Sequence, residues 1–163
     1  MKETFPTYIL KYESDIRILD LFCAGFYGEN TTLKVIELCK TYTGIDIDNE
    51  KIITMQDIYK NKYNKARFIT NDVYEYLRAG NEQYEIVISD QPTNQNNRII
   101  EELPLISKMA IKYMVISTNI QTIPQMPRRI NKFYLQSFWY RSEYLGGTYW
   151  AVYLVDGMLD GRR

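Results

Sequence analysis

A chain of 163 residues is long enough to bury a proper core, and with 45% apolar and 25% charged residues it does not have the makeup of a disordered one. Twenty basic residues balance twenty acidic ones, which argues against unaided gripping of a long nucleic acid, a task that favours a basic excess. Histidine is absent, so Ser-His and Cys-His nucleophilic routes are excluded, and the two cysteines have neither the spacing nor the partners of a metal site.

Residues 1–14 are mixed, with Pro6 and several rings, and read as an extended arm packed on the domain. Residues 16–22 are largely apolar, as a central parallel strand requires. Asn30, Thr31 and Thr32 supply an N-cap for a helix to about residue 39. Residues 42–46 form a second strand. Asp48 or Asn49 caps a helix to about residue 60, with Ile52, Ile53, Met55, Gln56 and Tyr59 as its buried stripe.

A short third strand follows at 66–70, then a short helix at 73–77 stopped by Gly80 and its neighbours. Residues 85–89 make the fourth strand. A helix spans 98–109, which Pro104 must kink or divide. Residues 113–117 make the fifth strand. Pro124 and Pro127 break the next segment, and a short helix is expected near Ile130. Residues 133–141 and 149–155 alternate apolar and polar, with Gly146 and Gly147 between them. They read as an antiparallel pair closing the sheet. Residues 157–163 read as a loose tail, and the whole of 1–163 as one domain.

The stretch 16–48 carries the chemistry. Residues 18–32 read I-L-D-L-F-C-A-G-F-Y-G-E-N-T-T, and a helix then leads to T-G-I-D-I-D. This is a βαβ unit with a glycine turn that lets backbone approach a ligand, followed by a helix N-terminus. Asp46, at the tip of the second strand about 20 residues past the turn, can accept hydrogen bonds from two ribose hydroxyls. No G-x-G-x-x-G and no G-x-x-x-x-G-K-[ST] is present. The unit suits an adenosine without a diphosphate.

That combination resembles the class I S-adenosylmethionine-dependent methyltransferases. Asp20-Leu-Phe-Cys-Ala-Gly25 resembles their first motif, roughly D-x-F-x-G-x-G, and Asp46 matches the ribose-binding acid of the second. Phe68-Ile-Thr-Asn-Asp72 resembles the third, and Ile86-Val-Ile-Ser-Asp90-Gln91-Pro92 the fourth, the D/N-P-P-aromatic stretch of amino-methyltransferases. The resemblance covers residues 15 to 156. It implies an α/β, Rossmann-like fold: a mostly parallel seven-stranded sheet with a C-terminal antiparallel pair and helices on both faces.

It also implies S-adenosylmethionine as cofactor, held by Asp20, Cys23, Ala24, Gly25, Gly28, Asp46, Ile47, Asp72 and Val73. Asp90, Gln91 and Pro92 become the catalytic stretch, where an acid and a carbonyl hold the target amine; no metal is implied. Each acid also has a plain structural reading: Asp46 or Asp48 as a helix cap, Asp72 as an N-cap, Asp90 as a strand-end turn.

The chain departs from the family in two places. Phe26 and Tyr27 stand where small residues are usual. Gln91 and Thr93 replace a proline and the stacking aromatic, for which Phe26, Tyr27 or Tyr144 are candidate substitutes. The implied function is methyl transfer to a nucleobase or nucleotide-containing substrate, RNA or DNA, with RNA-modifying members the nearest in motif. The alternative is a non-catalytic binding or structural subunit that keeps the fold.

Partners are expected to be a nucleic acid or nucleotide substrate and a second copy or partner subunit. Two clusters, Arg128, Arg129 and Lys132, and Lys60, Lys62, Lys65 and Arg67, are solvated surface or nucleic-acid contacts. The ring-rich stretch 133–150 is sheet core, with an exposed minority suited to base stacking or protein binding. No apolar run approaches 18 residues and no leader pattern opens the sequence, so a cytoplasmic protein with buried, reduced thiols is expected. The abundance of Ile, Asn, Lys and Tyr is that of an AT-rich genome, such as a viral or bacterial one.

Overall fold

The computed structural model describes residues 5–24, 29–60, 64–90, 96–140 and 148–158. Near-continuous apolar runs in the first two thirds of the sequence become parallel strands: β1 (Arg17–Leu21), β2 (Thr41–Asp46), β3 (Ala66–Thr70), β4 (Tyr84–Ser89) and β5 (Ala110–Asn119). Strands buried on both faces need apolar residues at successive positions, and β1 illustrates this. Ile18 points to one core cluster, while Leu19 and Leu21 point to the other.

Helices cover both sides. On the first face, α1 (Phe5–Leu10), α2 (Glu29–Leu38) and α3 (Asn49–Lys60) bury Ile9, Leu10, Val35, Ile36, Ile52 and Tyr59 against the sheet. On the second face, α4 (Val73–Ala79) and α5 (Asn96–Met109) bury Val73, Leu77, Leu103, Ile106 and Met109. The antiparallel end consists of β6 (Arg129–Ile130), β7 (Phe133–Tyr140) and β8 (Thr148–Val155). The full order is β3-β2-β1-β4-β5-β8-β7-β6, with β8 antiparallel to both β5 and β7. The order reverses between β1 and β4, and the carboxyl ends of the parallel strands open a crevice there.

The expected architecture therefore holds, with eight strands among the described residues rather than seven. The eighth, β6, replaces the short helix expected near Ile130. Asn131 takes a left-handed conformation (φ 50°) and turns the chain so that Ile130 pairs with Phe133. Asparagine tolerates that region, which makes it a natural hairpin residue.

Residues 5–10 are helical, not an extended arm. Pro6 sits in the first turn, where its missing N–H costs nothing, and Ile9 and Leu10 are drawn into the core. Pro104 does not divide α5, which runs unbroken from Asn96 to Met109. Its ring is on the exposed side, so water can meet the carbonyl left without a donor. Leu103, Ile106 and Met109 meanwhile anchor the opposite side. Of the expected stripe on α3, Ile53 is exposed, whereas Ile52 and Tyr59 are buried.

Of the second basic cluster, Arg67 pairs with Glu82 at 2.9 Å and Lys65 donates to the carbonyls of Glu37 and Cys39. Both cysteines are buried free thiols. No helix among the described residues is long and apolar enough to cross a membrane.

Gly44 is the tightest point of the parallel half. A Cβ there would lie 2.7 Å from Cys23 Sγ and 3.1 Å from the Phe68 ring. Only glycine lets β2 pass so close beneath the turn that follows β1. Gly44→Ala should therefore cost about 1–3 kcal/mol by overpacking. Adding Cys23→Ala should recover part of that loss, since the two positions share one contact. Denaturant unfolding of the two variants checks this. An unchanged midpoint for Gly44→Ala would contradict the packing.

Candidate active site

The parallel strands bring four acids to one rim. Asp20 is the penultimate residue of β1, and Asp46 ends β2. Asp72 follows β3 as the N-cap of α4, and Asp90 directly follows β4. The strands are neighbours in the order β3-β2-β1-β4, so the acids form one series across the carboxyl ends.

Asp46 is the most constrained of them. The residue is 8% exposed, and its two carboxylate oxygens take different backbone donors. Oδ2 accepts from the Ala24 N–H at 3.0 Å, and Oδ1 from the Asp48 N–H at 2.9 Å. The first of these bonds fastens the turn after β1 to the tip of β2. A backbone bond from Cys23 N–H to Ile45 O at 3.1 Å reinforces it, and Asn71 N–H to Asp46 O at 2.9 Å ties the same strand tip to the residue after β3. An ionised carboxylate offers about four acceptor directions, so each Asp46 oxygen retains capacity for another donor. Ile47, the next residue, is 69% exposed and stands apolar at the lip of the crevice.

Asp20 is buried and accepts a hydrogen bond from the Tyr42 hydroxyl at 2.5 Å. That pairing was not foreseen; a tyrosine opening the second strand carries no motif signal. Cys23 sits beneath the turn, where burial, with Asp20 and Asp46 nearby, raises the thiol well above its ordinary value. Burial also pushes Cys39 up, to about 11.

Asp72 does cap α4: Oδ1 accepts from the N–H groups of Tyr74 and Glu75 at 2.9 and 3.0 Å. The cap uses one carboxylate oxygen. Val73 is 3% exposed, and its side chain belongs to the core of the second face. Asp90 is 4% exposed and its N–H reaches Leu21 O at 3.3 Å, which sets it beside the end of β1.

Gly25, Phe26, Tyr27, Gly28, Gln91, Pro92, Thr93 and Tyr144 lie outside the described residues. The rim also holds groups that no motif singles out. The Arg98 guanidinium lies 3.8 Å over the Tyr74 ring, and Phe22 meets that ring edge-on at 6.1 Å. Phe22 itself adopts φ 63°, which tips the chain into the turn. Only contact across α4 and α5 reveals this cluster.

Solved structures resemble this arrangement over nearly its whole length. A conserved hypothetical protein of Streptococcus pyogenes matches with a TM-score of 0.72 at 13% identity, covering 93% of this chain and 96% of its own. A putative methyltransferase of Escherichia coli, yhhF, matches with a TM-score of 0.71 at 14% identity, covering 95% and 87%. The fold is that of the class I methyltransferases. An rRNA methylase of E. coli matches with a TM-score of 0.63 at 15% identity, covering 91% of this chain and 61% of its own. No protein-family model matches the sequence, and no curated protein is significantly similar to it.

The raised thiols give a direct check on the site's interior. A thiol must ionise to react, and both are buried with their thiolates disfavoured. Near pH 8 the native protein should resist an aromatic disulfide reagent, and the unfolded protein should release two equivalents. Rapid labelling of Cys23 in the native state would contradict the packing beneath the turn.

Proposed function

We propose that the protein transfers a methyl group from S-adenosylmethionine to an amino group of a nucleobase in RNA or DNA. The observation that carries this reading is Asp46, a nearly buried carboxylate at the tip of β2 that anchors Ala24 and keeps acceptor capacity toward the crevice. A ribose diol presents two donors at one carboxylate, and Asp46 with the exposed Ile47 beside it suits an adenosine: acid to the sugar, apolar side chain to the base. Cys23 and Ala24 bring the backbone of the turn to the methionine side. The Asp72 oxygen that the cap leaves unused is the natural acceptor for an adenine amine.

When bound, the cofactor supplies an electrophilic methyl group on a sulfonium. The chain's own task is placement. In this reading Asp90, at the end of β4, accepts a hydrogen bond from the target amine and aims its lone pair, with Gln91 and Pro92 completing the stretch. The rRNA methylase among the structural neighbours supports a nucleic-acid target. The balanced charge supports recognition shared with a second copy or partner subunit.

The test is transfer of tritiated methyl groups to pooled RNA, DNA and nucleotides. Incorporation is expected, and Asp90→Ala should lower turnover by about 100-fold or more with cofactor affinity nearly unchanged. No incorporation by a protein that binds the cofactor would overturn the reading in favour of a binding subunit.

A further inference from the structure

A second cavity lies on the first face of the sheet, between α1 and the antiparallel strands, and shares no residue with the rim described above. Its volume is about 240 Å³. Tyr8 and Tyr12 come from α1 and the turn after it; Trp139, Gln136 and Ser137 come from β7, and Tyr113 from β5.

Three rings make one wall. Tyr8 lies 5.2 Å from Tyr12 and 5.4 Å from Trp139 between ring centroids. Tyr12 is 67% exposed and Trp139 36%, so large apolar rings stand at the mouth in water. Some of the polar groups around them are engaged. The Trp139 indole N–H donates to Ser137 Oγ at 3.1 Å. The Tyr113 hydroxyl donates to Glu13 Oε1 at 2.6 Å, and the other oxygen of Glu13 holds Lys112 at 2.7 Å.

Among the described residues, Gln136, an exposed residue, and the hydroxyls of Tyr8 and Tyr12 are left open. The register of β7 against β8 slips between Leu135 and Ser137, which makes Gln136 the extra residue of a β-bulge. A regular strand sends neighbouring side chains to opposite faces, yet both Gln136 and Ser137 line the cavity. The bulge therefore adds an amide-bearing residue to the lining, as bulges beside binding sites do. That amide makes no hydrogen bond to a described residue. It offers one acceptor and two donor hydrogens in a plane.

Among the described residues the lining contains no charged side chain. A phosphate or carboxylate would go unpaired there. The volume falls below the ~300–1,000 Å³ of sites for drug-sized ligands, which limits the occupant to a single ring system. Rings at the wall, one exposed planar amide and no charge in the described lining together suit a flat, neutral heteroaromatic ring with a hydrogen-bonding edge. We propose that this cavity binds a nucleobase, stacked or edge-packed on Tyr8 and Trp139 and read through its edge by Gln136, separately from the rim of β1 to β4. Base–aromatic contacts tolerate any base, so the site is selective for the class rather than for one base.

The experiment titrates the full chain with uridine and guanosine, whose bases differ from the adenine suited to the rim, and follows the indole N–H resonance of Trp139. A saturable shift is expected with at least one nucleoside. Gln136→Leu, which keeps length but removes donor and acceptor, should weaken it at least ten-fold. Asp46→Ala should leave it unchanged. Toluene is the apolar control and should respond equally in wild type and Gln136→Leu. No saturable shift with either nucleoside at millimolar concentration would overturn the proposal. So would nucleoside binding insensitive to Gln136→Leu, which would mark a generic apolar cleft, or binding lost in Asp46→Ala, which would place the nucleoside at the rim.

Discussion

The bond from the Ala24 N–H to Asp46 Oδ2 is the constraint on which the crevice depends. Among the described residues, the turn after β1 would without it be tied to β2 by the backbone bond from Cys23 to Ile45 alone. One carboxylate spans the gap between two strand ends and also accepts from Asp48, where α3 begins. A buried acid is costly unless its oxygens are met, so the backbone donors both stabilise the charge and set its direction. Gly44 belongs to the same device, because it allows Cys23 to sink beneath the turn.

The two halves of the sheet divide the work. The parallel half buries an apolar core on both sides and carries its four acids at the carboxyl rim. The antiparallel half is different in character. Its inner residues, Phe133, Ala151, Val152 and Tyr153, are fully buried, while Phe138, Trp139 and Tyr140 at the end of β7 stay substantially exposed. A scaffold of this kind lets chemistry at the rim and recognition on the flank vary separately.

Much of this was legible in the sequence because the parallel strands speak in long apolar runs. β3 and α3 begin and end where periodicity and caps place them, and Asp46 and Asp72 stand at strand ends as the motifs imply. The failures are local signals overruled or too short to weigh. Pro6 reads as a breaker but occupies a helix's first turn. Pro104 reads as an interruption, yet the burial of Leu103 and Ile106 outweighs a penalty of about 3 kcal/mol. Two residues of β6 cannot show a period of two, although Asn131 was the available hint. The Tyr42 bond to Asp20, the Arg98–Tyr74 stack and the bulge at Gln136 depend on contacts between distant segments, for which no spacing rule exists.

The central claim is that Asp46 holds both the turn and an adenosine. Calorimetric titration with S-adenosylhomocysteine tests it most directly, comparing wild type with Asp46→Asn. Asparagine keeps one acceptor oxygen for the turn but loses the charge and one acceptor facing the ribose. The expected result is saturable heat with wild type and at least ten-fold weaker binding in the variant, a difference of about 1.4 kcal/mol or more. No heat with wild type at millimolar ligand, or equal affinity in the two proteins, would contradict it.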